Sequence, residues 1–378
     1  MSNITAKRVS NYELFYDLIF VLATSGLTSL LHTEHFSWDS LEIFIIASIG
    51  LLSIWFYETV YLNKFGERDG LDIYTIIAGM FILGQMAINM TVTPTQNTLV
   101  LYQFYYAASY AIISLQYILR SRKNGLTADM RPHRNNVLII TACYIATTLA
   151  AALGWLSTYS YLIFPIICIP LILPLLLRNL DMKEAINFPH LLERCQLITI
   201  ITFGETVIAV IKSYPFASYP LESILFFVGM AFLFVRYISQ THLNINHHQV
   251  ANTQALIYSH LFLVMGINLF TVGLEMLVNP HHAQLGFTYF IAGILIAYLG
   301  ILALNIYNHD HYRINQKHVS LYLLTVIGAC LLMIFARQSL LAVSSIFALF
   351  SWSMPRINYY FRKKQYGNQA IDPEASEH

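Results

Sequence analysis

Residues 285–306 read LGFTYFIAGILIAYLGILALNI, and this run contains no charged side chain. A helix that crosses a bilayer needs about 20 consecutive, mostly apolar residues. The run is long enough for one crossing, and runs of the same kind recur along the whole chain of 378 residues. We therefore predict a membrane-spanning helix here and expect the similar runs elsewhere in the chain to form further spans.

The overall composition agrees with repeated membrane crossing. Hydrophobic residues make up 57% of the chain and charged residues 11%, whereas soluble proteins contain about 25% charged residues. The net charge is +1, and the basic residues occur in small groups that give no nucleic-acid footprint. The composition excludes a soluble enzyme and a nucleic-acid-binding protein, and it predicts the lipid bilayer as the surrounding partner.

We predict an all-α, polytopic transmembrane helix bundle of about twelve spans. The predicted spans lie near residues 12–31, 38–62, 70–91, 98–120, 136–154, 158–177, 191–212, 220–241, 253–278, 285–306, 318–336 and 339–360. Residues 1–378 would form a single integral membrane domain that ends in a disordered cytoplasmic tail at 363–378. Two halves of six spans each, 10–178 and 189–362, are a further hypothesis, by analogy with the parallel repeats of several transporters. The oligomeric state is left open.

The basic residues support an even number of spans with both termini in the cytoplasm. Cytoplasmic connectors of membrane proteins carry an excess of Lys and Arg. With the N-terminus inside, all of the 21 Lys and Arg residues fall in cytoplasmic segments except Lys212 and Arg337. A single missed span in mid-chain would destroy this alternation. The pattern predicts a multi-pass protein of the cell (plasma) membrane.

Three stretches carry recognisable motifs: residues 13–21 read ELFYDLIFV, residues 190–194 read HLLER, and residues 199–210 read TIITFGETVIAV. The first resembles the ELFFDLVFV signature, and the other two resemble the H-x-x-ERFGLFTIIVLGESVVAV segment, of one bacterial family of membrane proteins, the low temperature requirement A (LtrA-like) family. A Y-x-H element at 258–260 and a G-x-E element at 273–275 follow in order. Residues 237–240 (YISQ) lack the acidic residue that the family often has there. The resemblance implies a bacterial cell-membrane protein and no particular chemistry, because the family is named for a growth phenotype.

Glu205 is the first candidate for a substrate- or ion-binding residue, because a charge at bilayer depth is costly and usually faces a partner or a wet cavity. It lies about 18 Å along a helix from Glu193, which places it near the bilayer midplane. Thr202 and Thr206 add polar groups on a neighbouring face of that helix. The alternative is a seam of helix packing in which the glutamate has a structural partner. Arg236, in the inner half of the eighth span, would either pair with Glu205 or extend to the cytoplasmic surface.

Glu13 and Asp17 are a second pair of candidates near the cytoplasmic end of the first span. They are four residues apart and therefore share one helix face. For Glu13 the alternative is a capping box with Ser10, whereas Asp17 lies one turn deeper. Glu58, near the inner end of the second span, would face this pair or the nearby basic residues at 64 and 68.

His190, Glu193 and Arg194 lie at the predicted cytoplasmic mouth of the seventh span. They would form a gate or, alternatively, a helix cap with a local ion pair. We predict no metal site, because the histidine pairs fall in connectors and no Cys or His spacing fits a metal. No nucleotide-binding or catalytic motif occurs, so we also predict no cofactor and no catalytic residue.

The leading functional hypothesis is a secondary transporter or permease, coupled to protons, that moves an unknown small solute. It rests on many spans, the absence of an ATPase motif and carboxylates at membrane depth, whose affinity for protons is raised by burial. The first alternative is a membrane sensor or assembly factor that transports nothing. The second is an intramembrane enzyme that modifies lipid, which we do not favour.

Overall fold

The computed structural model describes residues 7–33, 37–158, 160–176, 186–249 and 251–366. Within these ranges the regular structure is helical, and no strand occurs. This confirms the predicted all-α fold. The predicted connector between the halves lies largely at residues 177–185, and most of the predicted tail lies at 367–378; both segments are outside the described residues.

The first of two compact units contains residues Met1–Ile198 and Val250–Ile257. Its helices are α1 (Asn11–Asp17), α2 (Ile19–Ser29), α3 (Trp38–Lys64), α4 (Gly70–Ile88), α5 (Gln96–Asn124), α6 (Met130–Ala152), α7 (Trp155–Thr158), α8 (Ile163–Leu176) and the first turns of α9 (Phe188–Ser213). In the most apolar window of α3, 78% of the residues are buried, compared with 28% for α4. Helix α3 therefore forms much of the core of this unit.

The second unit contains residues Thr199–Gln249 and Tyr258–His378. It comprises the rest of α9, α10 (Pro220–Ile238), a π-helical turn (Ser239–Asn244), most of α11 (Gln254–Leu277), α12 (Ala283–Ala303), α13 (Gln316–Phe335) and α14 (Leu340–Tyr366). Two short 3-10 turns, Leu304–Tyr307 and Asp310–Tyr312, lie between α12 and α13.

Ten helices in the described part of the chain are long and apolar enough to cross a membrane, namely α3–α6 and α9–α14. The other two predicted spans coincide with interrupted helices. Residues 12–31 contain α1 and α2, which meet at Leu18, and residues 158–177 contain α8, which is 14 residues long and carries Pro170 and Pro174. The polytopic helical fold is confirmed, and the count of twelve stays a prediction.

Large apolar side chains on these helices are exposed. Phe335 is 85% exposed, Tyr74 75% and Phe81 69%. A soluble protein rarely exposes this many large apolar side chains, whereas the bilayer core accepts them. The exposed faces therefore agree with a helix bundle that lipid surrounds.

Helices α11 and α12 of the second unit approach each other closely through glycines. A Cβ atom on Gly273 would lie 2.3 Å from the backbone nitrogen of Phe290, and one on Gly293 would lie 2.3 Å from that of Phe270. Only hydrogen fits at these two positions. Small residues at helix crossings allow the close backbone packing that stabilises helix pairs in lipid.

We expect Gly293→Ala to lower the melting temperature of the detergent-purified chain. The added methyl group would meet backbone atoms that cannot rotate away, and such overpacking costs roughly 1–3 kcal/mol. The matched control is Gly328→Ala on α13, where a Cβ would have no neighbour within 4 Å. The control should melt at the same or a higher temperature, because alanine favours helix over glycine by roughly 1 kcal/mol. Equal melting temperatures for the two variants would contradict the close approach.

Candidate functional site

Five buried side chains of the first unit form a cluster that we call the buried ionic cluster: Glu13, Asp17, Trp55, His190 and Arg194. None of them is more than 3% exposed. Glu13 and Asp17 come from α1, Trp55 from α3, and His190 and Arg194 from α9. The acidic pair and the basic pair are each spaced four residues apart, so each presents two side chains on one helix face.

Local sequence fixes the start of both contributing helices. Ser10 and Glu13 form a reciprocal capping box at the start of α1, which confirms the capping role considered for Glu13. At the start of α9, the Asn187 side chain accepts a hydrogen bond from the His190 backbone N–H at 3.2 Å. Capping side chains accept hydrogen bonds from the backbone N–H groups that have no acceptor within the first helical turn. The caps therefore hold α1 and α9 at the registers that bring the charged residues inward.

The central contact of the cluster is an ion pair between Asp17 and Arg194. Arg194 Nη2 lies 2.8 Å from Asp17 Oδ1 and also donates to Thr59 Oγ1 at 3.4 Å. Trp55 Nε1 donates to the same Asp17 oxygen at 2.8 Å. No described residue bonds to Asp17 Oδ2 or to Arg194 Nε and Nη1, although all three atoms are buried. The pair therefore keeps one acceptor and two donor atoms for a further polar group.

The second contact joins Glu13 and His190, and two asparagines fix its proton. The Asn187 backbone N–H donates to Asn63 Oδ1 at 2.8 Å, so the amide nitrogen of Asn63 faces the other way. This nitrogen lies 2.9 Å from His190 Nδ1. Because an amide nitrogen only donates, Nδ1 accepts and the imidazole proton lies on Nε2. His190 Nε2 then donates to Glu13 Oε2 at 3.2 Å.

This arrangement has a chemical consequence for proton movement. An imidazole can accept a proton on one nitrogen and release a proton from the other. In His190 the accepting nitrogen is blocked by Asn63, and the donating nitrogen points at the Glu13 carboxylate. Protonation of Nδ1 therefore requires Asn63 to turn, which would also break its bond to Asn187.

Glu58 and Glu193 are not members of the buried ionic cluster. Glu58 is buried on α3 and accepts a hydrogen bond from Gln116 Nε2 of α5 at 2.7 Å. Lys64, one of the basic residues considered as a partner for Glu58, instead forms an ion pair with Asp129 at 2.9 Å. Glu193 is exposed, and its neighbour Arg194 pairs with Asp17 rather than with it. Arg194 therefore forms its ion pair with Asp17 of α1 and not with its sequence neighbour Glu193.

The remaining predicted residues belong to the second unit. Glu205 is half-buried, while Thr202 and Thr206 are fully buried. Thr206 Oγ1 lies 2.7 Å from Thr271 Oγ1 of α11, a hydrogen bond between helices that favours the packing-seam interpretation for this threonine. Arg236 donates to Gln240 Oε1 at 3.3 Å. Among the described residues Arg236 shows no ion pair with a carboxylate, so the alternative of a pair with Glu205 finds no support here and stays a prediction.

A further ionic cluster of the first unit was not predicted from the sequence. Arg120, at the end of α5, is buried and bonds to both carboxylate oxygens of Asp69 at 3.0 Å and to Asp72 at 2.8 Å. It also contacts Glu67, which Lys123 approaches at 3.0 Å. These contacts fix the connector between α3 and α4. Three acidic residues within residues 67–72 were the available signal, but they read equally well as a solvated loop.

The Asp69 contacts predict a pH-dependent contribution to stability. Hydrogen bonds from Lys123 and Arg120 hold the pKa of the Asp69 carboxyl below its usual range. A carboxyl whose pKa is lowered in the folded state stabilises that state above its unfolded pKa of about 3.9, and the contribution is lost as the pH falls below that value. We expect the melting temperature of wild type to exceed that of Asp69→Asn by a constant margin above about pH 5 and to converge with it in acid.

Asp69→Asn is a suitable comparison because asparagine also caps helices well, and Asp69 caps α4 by accepting from the Asp72 backbone N–H. The substitution therefore removes the charge and keeps the cap. The measurement is thermal unfolding of both proteins in detergent across this pH range. A margin that stays the same in acid would rule out the charge contacts as its source.

The Asp17–Arg194 pair predicts that substitution of a buried, paired arginine lowers stability far more than substitution of an exposed, paired arginine. Removal of one partner of a buried pair costs roughly 3–5 kcal/mol, because the other charge stays buried alone. Arg313 and Asp310 form an exposed pair at 3.2 Å, and exposed pairs contribute roughly 0–1 kcal/mol. We expect Arg194→Gln to lower the melting temperature strongly and Arg313→Gln to leave it almost unchanged.

A double substitution separates charge from packing in this experiment. Asp17→Asn together with Arg194→Gln leaves no isolated charge, so the double variant should recover part of the stability that Arg194→Gln loses. If the double variant is less stable than the single one by the full cost of Asp17→Asn, the two side chains do not act as a pair.

A family model described as Bacterial low temperature requirement A protein (LtrA) matches residues 8–352, which include the buried ionic cluster, Glu205 and Arg236. No curated protein sequence matches the chain significantly.

Proposed function

The chain belongs to the bacterial low temperature requirement A (LtrA) family, and we propose that it is a proton-coupled secondary transporter of a small polar solute. One observation carries the proposal: a buried acid–base cluster on predicted spans that contains an ion pair with unused polar atoms. Charged groups at membrane depth are costly, and in known proteins they mark ion and proton pathways. The cluster also joins the His190 imidazole to the Glu13 carboxylate, so a proton on that carboxylate would change the contact between α1 and α9.

In this proposal Glu13 is the entrance of the proton pathway. A narrow crevice beside Glu13 is lined by Ser10, Leu62, Gly66 and Asp72, and the basic-residue pattern places this end of the helices in the cytoplasm. A proton that reaches Glu13 would neutralise the carboxylate that accepts from His190 and so weaken that bond. His190 and Arg194 share α9, so this change would reach the Asp17–Arg194 pair.

The Asp17–Arg194 pair would contact the solute. Asp17 Oδ2 offers an acceptor, and Arg194 Nε and Nη1 offer two donors. A solute that carries both a donor and an acceptor would satisfy all three atoms. Glu205 remains a second candidate for the same role in the second unit.

Membrane placement is part of the proposal. We place the chain in the plasma membrane with both termini in the cytoplasm, and we count the α1–α2 pair and α8 as the two spans beyond the ten. The distribution of basic residues supports this orientation. Pro170 and Pro174 in α8 agree with a broken span, a feature that often lines transport sites.

The test uses liposomes that contain the purified full-length chain and a pH-sensitive dye, with potassium and valinomycin to dissipate charge. Amino acids, sugars and short carboxylic acids are added one at a time. We expect at least one solute to trigger proton entry, Glu13→Gln to abolish the coupled signal, and Glu193→Gln to retain it. Glu193 is the matched control because it lies on α9 next to Arg194 and is exposed.

Two outcomes would contradict transport. One is proton entry no faster than in empty liposomes for every solute, and the other is equal activity of Glu13→Gln and wild type. The sensor or assembly-factor alternative predicts the first outcome together with a stable protein partner that co-purifies with the chain from membranes.

A further inference from the structure

Arg236 of the second unit is a buried cation with no ion pair to the described carboxylates of that unit. The residue is 1% exposed. The described carboxylates of this unit are Glu205, Glu222, Glu275 and Asp310. None of them forms an ion pair with Arg236, and Asp310 is occupied by Arg313. A buried ion without a counter-ion is strongly unfavourable, so the position requires an explanation.

The guanidinium is only partly satisfied by the protein. Its Nη1 donates to Gln240 Oε1 at 3.3 Å, and its Cζ lies 5.6 Å from the centre of the Tyr322 ring. The guanidinium also hydrogen-bonds the Tyr322 side chain. Neither a neutral hydroxyl nor a ring face neutralises the cation. The Nε atom is buried, and no described residue accepts its hydrogen. Arginine has five N–H donors, and the Nε N–H is the one that a further acceptor could still satisfy.

Neutral amides surround this edge and are fixed by one another. Gln240 Oε1 also accepts from Asn244 Nδ2 at 2.9 Å, and Gln240 Nε2 donates to Asn308 Oδ1 at 2.6 Å. Gln240 and Asn244 lie in the π-helical turn that continues α10. Such turns are rare and occur frequently at functional sites. The amides add rigid polar groups and no charge.

We propose that Arg236 is the centre of an anion site that binds a small monocarboxylate. The planar guanidinium edge matches the two oxygens of a carboxylate. A single cation among neutral amides balances one negative charge, whereas a sulfate or phosphate dianion would leave a surplus charge buried. This inference concerns binding alone and does not depend on whether the chain transports anything.

The test measures anion-dependent stability of the purified full-length chain in detergent near neutral pH. Sodium sulfate is replaced stepwise by sodium acetate at constant ionic strength, and the melting temperature is recorded. A ligand that binds only the folded state raises its stability with ligand concentration. We expect wild type to show a rise whose dependence on acetate follows a single-site curve, and chloride to be a much weaker substitute.

Three variants locate the effect. Arg236→Gln should lose the acetate response. Arg236→Lys keeps the charge but lacks the planar edge, so its half-maximal acetate concentration should rise about tenfold. Arg356→Gln is the matched control, because Arg356 is an exposed arginine of the same unit, 3.9 Å from the Trp352 ring centre; it should respond like wild type.

Acetate binding to wild type is also measured directly by ligand-observed NMR. The assignment therefore remains testable even if Arg236→Gln does not fold. Absence of any acetate response in wild type would overturn the site. An acetate response that persists in Arg236→Gln would move it elsewhere, and an equal response to chloride would overturn the carboxylate assignment.

Discussion

The ion pair between Asp17 and Arg194 is the interaction on which the first unit depends. Its two residues lie 177 positions apart in the chain and join α1 to α9, while Trp55 and Thr59 bind the same pair from α3. Lipid cannot solvate a charge, so either charge would be strongly unfavourable on its helix without the other. The pair therefore fixes how three apolar helices meet, which apolar contacts alone specify weakly, because lipid tails are equally apolar.

The two ionic clusters of the first unit differ in how completely they are satisfied. Arg120 bonds to both oxygens of Asp69 and to Asp72, so it clamps the connector between α3 and α4 with little capacity left. Arg194 instead keeps two buried donor atoms that no described residue uses. A fully satisfied cluster is suited to holding a connector still. A partly satisfied one is suited to exchanging partners, which is why the proposed function is placed there.

The second unit is held together by different means. Glycines allow α11 and α12 to approach within van der Waals contact of backbone, and hydrogen bonds such as that between Thr206 and Thr271 add polar links. These contacts carry no charge. Arg236 is therefore conspicuous among neutral amides, and the same rule that requires a partner for Arg194 requires one for Arg236.

Local patterns in the sequence were sufficient to locate the helices. Apolar run length fixed most spans, since a crossing helix satisfies its own backbone and needs only about 20 apolar residues. The capping box of Ser10 and Glu13 was also readable, because its two residues are three positions apart. The interruption at Leu18 was not, since hydropathy does not register it.

By itself, the sequence determined that the chain is a helical membrane protein of this family and that Glu13, Asp17, His190 and Arg194 lie near helix ends. Only the tertiary structure decided that they meet, that Glu193 is exposed while Arg194 is buried, and that Arg236 pairs with no described carboxylate of its unit. Hydropathy and helical periodicity act along one segment. Pairing depends on how each helix is rotated about its axis and packed against distant ones, and that is settled by contacts between residues far apart in the chain.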